Sequence, residues 1–399
     1  MADYDIVTMG GGIGGSAIAK AMAENGKRVL VLEREAQFKD RVRGEWMAPW
    51  GAVETKKLGL YDDLIAAGGC PAPKFAAFAG PAPMPVRDFT FDCALKTSAL
   101  AMYHPAMQET VLAAAAKAGA EVRRGVKVNG VTPGKEPSVS FEGDGGSQAV
   151  SARLVVGADG RNSMVRKWGG FESSGEQGGN QLAGVMLENY SGLEDTATAV
   201  FNPFMGQVAL VFPQGGGKAR AYFGSRTDKA ERLQGDGDFQ KLIDMSVQTG
   251  ASSALYEGTA QAGPLATFPG FDSWVPHPYK DGIALVGDAA QTSDQTWGQG
   301  LSITFTDARL LRDALLATDD WDAAGHKYAE AANISFQHVR EVEDWMTQVM
   351  MDQSAEANAI RSKVLTGMAT GTLALPETHI AGPDLAPADE AAHKGLFGE

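Results

Sequence analysis

The stretch "YDIVTMGGGIGGSAIAKAMAENGKRVLVLERE", residues 4–35, decides the fold. Ile6, Val7 and Met9 form a short apolar strand that runs straight into glycines. Gly10, Gly12 and Gly15 stand in the spacing G-x-G-x-x-G. Ile18, Ala19, Met22 and Ala23 then recur at helical intervals, and Asn25-Gly26 ends that helix. "RVLVLE", 28–33, is a second buried strand that closes on Glu33. Glu33 lies about 18 residues past Gly15, close to the ~20 typical of a dinucleotide-binding βαβ unit. Gly10 permits the tight turn, Gly12 lets backbone approach a pyrophosphate, and Gly15 lets helix and strand pack closely. The helix N-terminus favours the phosphates, and Glu33 can accept from both hydroxyls of an adenosine ribose. The unit predicts the ADP half of a dinucleotide, and FAD and NAD both fit it.

The rest of the composition sets bounds. A chain of 399 residues with 44% hydrophobic residues is globular and divides into sub-domains. A net charge of −14 argues against nucleic acid or an anionic membrane as partner. Cys70 and Cys93 are the only cysteines, which suits free thiols in a reducing compartment. No apolar run reaches a membrane span. The N-terminus enters a strand without a basic flank or cleavage site, so the reading is cytoplasmic with no signal peptide.

Two later segments complete the first. "GIALVGDAAQTSDQTWGQG", 282–300, is a buried strand that delivers Asp288 at its end and then exposes backbone at Gly298 and Gly300. A carboxylate there suits the hydroxyls of a ribityl chain. The bare amides around Gly298–Leu301 suit the carbonyls of an isoalloxazine ring. "RLVVGADGRNSMVRKWGG", 153–170, is a third buried strand followed by Asp159-Gly160 and a basic helix start with Arg161 and Arg166. As a set, the three segments resemble the FAD-dependent aromatic hydroxylases, the para-hydroxybenzoate hydroxylase-like group A flavoprotein monooxygenases. The resemblance covers roughly residues 4–60, 100–170 and 275–315.

That resemblance implies an α/β fold: a Rossmann-like FAD-binding domain with an inserted antiparallel β-sheet substrate domain and C-terminal helices. It implies FAD as cofactor, NADPH or NADH as transient electron donor, and O2 and a small, aromatic substrate as partners. In "RVRGEWMAPWG", 41–51, Arg43 matches the arginine that reaches the FAD pyrophosphate, with Arg41 second; the plainer alternative is an ion pair of Arg43 with Glu45. In "YHPAMQETVLAAAAKAGAEV", 103–122, His104 replaces an arginine usual at that place. His104 or Gln108 then approaches the flavin, or His104 merely caps the helix. The candidate cofactor-binding set is Gly10, Gly12, Ile13, Gly14, Gly15, Glu33, Arg34, Arg43, His104, Gln108, Val126, Asp159, Asp288, Gly298, Gly300 and Leu301. The chain departs from the pattern after Asp288, where Gln291 and Gln295 stand in place of the family's histidine and proline. That puts the stiffness of the 291–300 loop in question.

Residues 171–275 have another texture. "QLAGVMLEN", "TATAVFNPF", "QVALVFPQ" and "KARAYFGSR" alternate apolar and polar residues, as antiparallel strands do. The flavin frame is expected at 1–74, 103–172 and 276–370, with a short sheet insert at 75–102, a substrate domain at 173–275, and an extended tail at 371–399. Arg220 and Tyr222 share a strand face and could bind an acidic or phenolic substrate, although sheet packing explains them too. Trp46 and Trp50 suit either pocket or core. The helix after 323 braces the flavin domain or an oligomer face, as monomer or homodimer. No metal-ligand cluster or G-x-S-x-G elbow is present.

The leading functional reading is a monooxygenase that hydroxylates an aromatic or other small organic substrate through a C4a-hydroperoxyflavin. Few side chains are required, because the cofactor carries the hard chemistry and the second domain excludes water. Alternatives are a reductase of isoprenoid-like double bonds, a flavin halogenase, and a non-enzymatic FAD-binding accessory protein. None of the seven tryptophans forms a W-x-W pair, which weighs against the halogenase.

Overall fold

The computed structural model describes residues 2–143, 146–175, 179–227 and 231–398. Its centre is a run of parallel strands in the order Ile283–Leu285, Gly146–Gly157, Tyr4–Met9, Val29–Glu33 and Glu121–Arg124. Ile6, Val7, Leu30, Val31, Leu154 and Val155 are wholly buried. Strands covered on both faces read as unbroken apolar runs for this reason. An antiparallel arm, Lys127–Thr132 with Ser138–Gly143, extends the sheet beyond the first half of Gly146–Gly157. Helix Ile13–Ala23 packs on helices His104–Lys117 and Gly300–Leu316.

This order has a consequence for function. Gly10 follows Met9, Glu33 closes its own strand, Val126 follows Arg124, Asp159 follows Gly157, and Asp288 follows Leu285. All leave the carboxyl ends of parallel strands, the side where open α/β sheets bind ligands.

A nine-stranded sheet forms the second layer. Asn180–Glu188, Lys218–Arg226, Gln207–Gly215 and Thr196–Asn202 run antiparallel in that spatial order. Lys74–Ala79 adds to its edge parallel to Thr196–Asn202. Residues 99–101 belong elsewhere, pairing with Trp46–Met47 and Cys70–Ala72 in a small separate sheet.

The C-terminal region differs from the expectation. The segment 371–399 is not an extended tail: it carries helices Thr378–Ala381 and Glu390–Phe397. Thr378, Ala381, Leu396 and Phe397 are buried. Few large apolar residues are needed, because these pack into a core shared with Trp345 and Phe397's ring neighbour His393. Helix Trp321–Met350 spans both layers. Its first half presents Tyr328 to the flavin-type domain, and its second half presents Val342, Met346 and Met350 to the nine-stranded sheet. Among the described residues no helix is long and apolar enough to cross a membrane.

Candidate active site

The glycine turn is built by close approach. Gly10 has φ 97°, and a Cβ there would lie 2.4 Å from the carbonyl oxygen of Ala158. A Cβ on Gly15 would lie 2.0 Å from the Gly10 carbonyl oxygen. Only glycine permits either contact. Gly12 is different: its Cβ would meet only the Gln108 amide nitrogen, at 3.5 Å. Its side is therefore open, with Gln108 as the neighbouring polar group. Glu33 is buried and turned towards the turn. Its Oε2 accepts from Gly11 N at 2.6 Å and its Oε1 from Glu35 N at 2.7 Å. Val126 N donates to the Glu33 carbonyl at 3.0 Å, which places Val126 beside it. Arg34 points outward and pairs with Glu35. The Asp159 carboxylate is committed to its own helix, accepting from Ser163 Oγ, Met164 N and Val165 N. It thus supports the start of Met164–Trp168 beside the Ser163 cap.

The second half meets the first directly. A Cβ on Gly14 would touch Val286 Cγ1 at 3.0 Å and Thr304 Cγ2 at 3.1 Å. Val286 leads into Asp288, and Thr304 lies one turn into the helix that starts at Gly300. Residues far apart in sequence thus share one wall, with Ile13 buried in it. Asp288 is half-buried and faces Arg43, Nη1 to Oδ2 3.8 Å. Arg43 therefore does not pair with Glu45. Helix Gly300–Leu316 has no side-chain cap. Its first intrahelical acceptor, Gln299 O, is taken by Ile303 N. The amides of Gly300, Leu301 and Ser302 precede that bond, and a Cβ on Gly300 would meet nothing within 4 Å.

Buried groups that the sequence did not single out hold this half in place. Asp307 is 1% exposed and accepts from Gly287 N at 2.9 Å and from Gln291 Nε2 at 2.8 Å. Burial pushes its carboxyl up to about 8, against those two hydrogen bonds. Tyr328 Oη donates to the Leu285 carbonyl at 2.5 Å. In the 291–299 loop, Ser293 Oγ donates to Glu343 at 2.6 Å, Asp294 N to Asp272 at 2.7 Å, and Asn180 Nδ2 to Asp294 at 3.0 Å. Burial, then the Asp272 charge, holds the Glu343 carboxyl well above its usual range. Gln295, with its amide nitrogen donating to Pro269 O at 3.0 Å, accepts from Arg161.

Arg220 is not available to a substrate. It is fully buried, with Nε and Nη2 on the two Glu45 oxygens at 2.9 and 2.7 Å and Nη2 also on Asp40 at 2.9 Å. Glu45 in turn accepts His104 N at 3.0 Å, so Glu45 caps helix His104–Lys117. The His104 ring meets the Gly44 carbonyl at 2.9 Å, and burial pushes it down to about 4. Tyr222 Oη donates to the Arg43 carbonyl at 2.7 Å. The pair read from sequence thus braces the 40–45 segment that carries Arg43.

Beyond the loop lies a cavity of ≈ 530 Å³. Its roof is the nine-stranded sheet, through alternate residues such as Phe75, Ala77 and Phe212. Its floor is Trp46 and the 295–299 loop, and its far wall is Met346, Met350 and Met368 from the C-terminal helices. Trp46 stacks on Phe212 at 5.5 Å and Trp297 on Phe201 at 5.6 Å. Trp50 stays in the core, donating to Gln299 Oε1 at 2.9 Å. The C-terminal helices, expected only to brace the flavin domain or an oligomer face, also wall this chamber. The methionines at 346 and 350, four apart on one helix face, are the signal that could have found it.

These features fit a flavin dinucleotide: a glycine cradle with an acid at one end, and at the other a carboxylate, an arginine and helix-start amides with open space before them. The family model described as FAD binding domain matches residues 3–342. Digeranylgeranylglycerophospholipid reductase 2 of Methanopyrus kandleri is 27% identical over 327 residues, 77% of this chain and 76% of that protein. Among solved structures, p-nitrophenol 4-monooxygenase PnpA of Pseudomonas putida has a TM-score of 0.76 at 21% identity, over 92% of this chain and 96% of that one. PqsL of P. aeruginosa, solved in complex with 2-aminobenzoylacetate, has a TM-score of 0.72 at 19% identity, over 89% and 98%. At such identities the solved structures speak for a common fold. The chain belongs to the FAD binding domain family and is an FAD-dependent oxidoreductase with the fold of the aromatic monooxygenases.

Proposed function

We propose that the chain is a monooxygenase that takes electrons from NADPH or NADH and inserts one atom of O2 into a small organic molecule held in the chamber. The observation that carries this reading is the adjacency of two sites. Gly298 and Gln299 line the chamber, and the next residue, Gly300, begins the helix offered to the cofactor. When bound, the flavin supplies the redox chemistry and the activation of oxygen.

The chain's own residues bind, orient and exclude water. Glu33 takes the adenosine ribose, with Arg34 and Val126 beside it, and the Gly10–Gly15 turn takes the pyrophosphate with Gln108 near. Arg43 offers a guanidinium to a phosphate, and Asp288 accepts from ribityl hydroxyls. The amides of Gly300, Leu301 and Ser302 favour negative charge on the pyrimidine edge of the ring. The sheet above and helices Trp321–Met350 and Ala355–Thr370 beside line the chamber and would limit the access of water to the ring. No side chain in the lining is needed as an acid or base.

The test is NAD(P)H oxidation in 18O2 with a panel of organic substrates, followed by mass spectrometry of the product. One labelled oxygen per product supports the reading, and product formation without label refutes it. A second reading, reduction of a carbon–carbon double bond, is favoured by the likeness to the Methanopyrus reductase over most of both chains. It predicts a product two mass units heavier than substrate, formed without oxygen.

A further inference from the structure

We infer that the substrate is a neutral, mainly apolar molecule larger than one benzene ring, and that anions of the same skeleton are excluded; this rests on the chamber being the substrate site of the oxidoreductase. The cavity volume of ≈ 530 Å³ is the first support. A cavity of roughly 150 Å³ holds benzene. The lining also runs on from Gly298 and Gln299, the side given to the flavin ring, to Met346 and Met368 on the far wall.

The second support is the state of every charged group on the wall. Glu45 reaches the lining, but both its oxygens are held by the buried Arg220. Arg87 lies at the rim. Its guanidinium forks onto Glu377 at 2.6 and 3.2 Å and also meets Asp92 at 3.2 Å. The His379 ring meets the Val339 carbonyl at 3.2 Å, and burial keeps it uncharged near neutral pH. Among the described lining residues, then, no cation is free to receive a carboxylate or phenolate. A buried anion without a partner is strongly disfavoured.

The third support is the mouth. Ala82, Pro83 and Pro85 on one side and Ala369 on the other are exposed at the edge of the lining. Entry thus passes an apolar lip. Methionines on the far wall adapt to irregular apolar shapes, which suits either a linear isoprenoid-type chain or a fused ring system.

The experiment uses the flavin-loaded protein and two matched pairs: farnesol against farnesoate, and 9-anthracenemethanol against 9-anthracenecarboxylate. Binding is read by calorimetry and by the change in flavin absorbance. At least one alcohol is expected to bind about tenfold or more tighter than its carboxylate, because the anion gains no partner inside. Which pair responds separates the linear from the fused-ring source. Met346→Trp fills the chamber and is expected to weaken the alcohol by a similar factor at unchanged flavin content. Leu365→Phe, from the neighbouring helix, replaces that variant if it fails to fold. Equal or tighter binding of the carboxylates, absence of binding by both alcohols, or indifference to the filling variants would overturn the inference. If alcohols bind but no 18O enters a product, the monooxygenase reading falls and the ligand class stands. If only anionic phenols are oxygenated, the reverse holds.

Discussion

Asp307→Asn probes the turn that presents Asp288. Burial raises the Asp307 carboxyl from 3.8 to about 8, so between those values the folded chain holds a proton that the unfolded chain has released. Stability therefore falls as pH rises through this window, by about 1.4 kcal/mol per pH unit from this group alone. From pH 5 to pH 7 that is about 3 kcal/mol. The neutral acid needs an acceptor for its O–H. Gln291, whose Nε2 donates to Asp307 in the structure, would have to turn its amide to supply one, while Gly287 N stays on the other oxygen. Asparagine reproduces that pattern with its own NH2 and carbonyl. The variant should keep its flavin and lose the slope. Urea unfolding of parent and variant at pH 5, 6 and 7 reads the difference directly, since distant titrating groups cancel. The variant should gain on the parent by about 3 kcal/mol across the series. Two curves that stay parallel would refute the account of a neutral Asp307. Asp307→Ala is the control: it leaves Gly287 N and Gln291 unpaired, costs about 1–3 kcal/mol, and should weaken flavin binding.

Other perturbations address the remaining parts of the site. Gly15→Ala sets a Cβ 2.0 Å from the Gly10 carbonyl oxygen; even about 1.4 kcal/mol of resulting strain is a tenfold loss of flavin affinity, read from the yellow absorbance retained after gel filtration. Arg43→Ala and Asp288→Asn should each lower flavin affinity by about 1–3 kcal/mol while leaving urea stability of the apoprotein nearly unchanged, because their half-exposed 3.8 Å pair contributes little. Arg220→Met strands Glu45 without its partner and should cost about 3–5 kcal/mol in urea unfolding; adding Glu45→Gln should recover a large part, and no recovery would mean that Glu45 was never the group at stake.

The cofactor frame was legible because its rules are local. A turn that admits only glycine, a helix at 3.6-residue spacing and an acid at a strand end all leave their trace within thirty residues. Asp288 was legible for the same reason, as a carboxylate at the end of an apolar run. What the sequence hid depends on partners that are distant. Arg43 and Glu45 are close in the chain and look paired, yet Glu45 turns to Arg220 across the sheet. Asp159 reads from sequence only as a group after a strand end, and its bonds to Ser163, Met164 and Val165 appear only in the structure. Asp307, Asp272 and Glu343 lie in ordinary helical or loop contexts, and only burial makes them notable. The tail reads as extended because its apolar side chains are few, yet Leu396 and Phe397 dock on a core to which helix Trp321–Met350 contributes.

The glutamines after Asp288 bear on how one loop can serve two sites. A proline would stiffen 291–300 by restricting its backbone. Here stiffness comes from outside the loop. Gln291 is held by Asp307, Ser293 by Glu343, the Asp294 amide by Asp272 and its carboxylate by Asn180, and Gln299 by Trp50. These anchors come from the nine-stranded sheet, the long C-terminal helix and the flavin-type domain. A loop pinned from three directions cannot shift at the chamber side without also moving the start of helix Gly300–Leu316. A ligand in the chamber and the flavin would therefore act on one rigid element, and any preference that one of them has for a position of that element would appear equally in the affinity of the other.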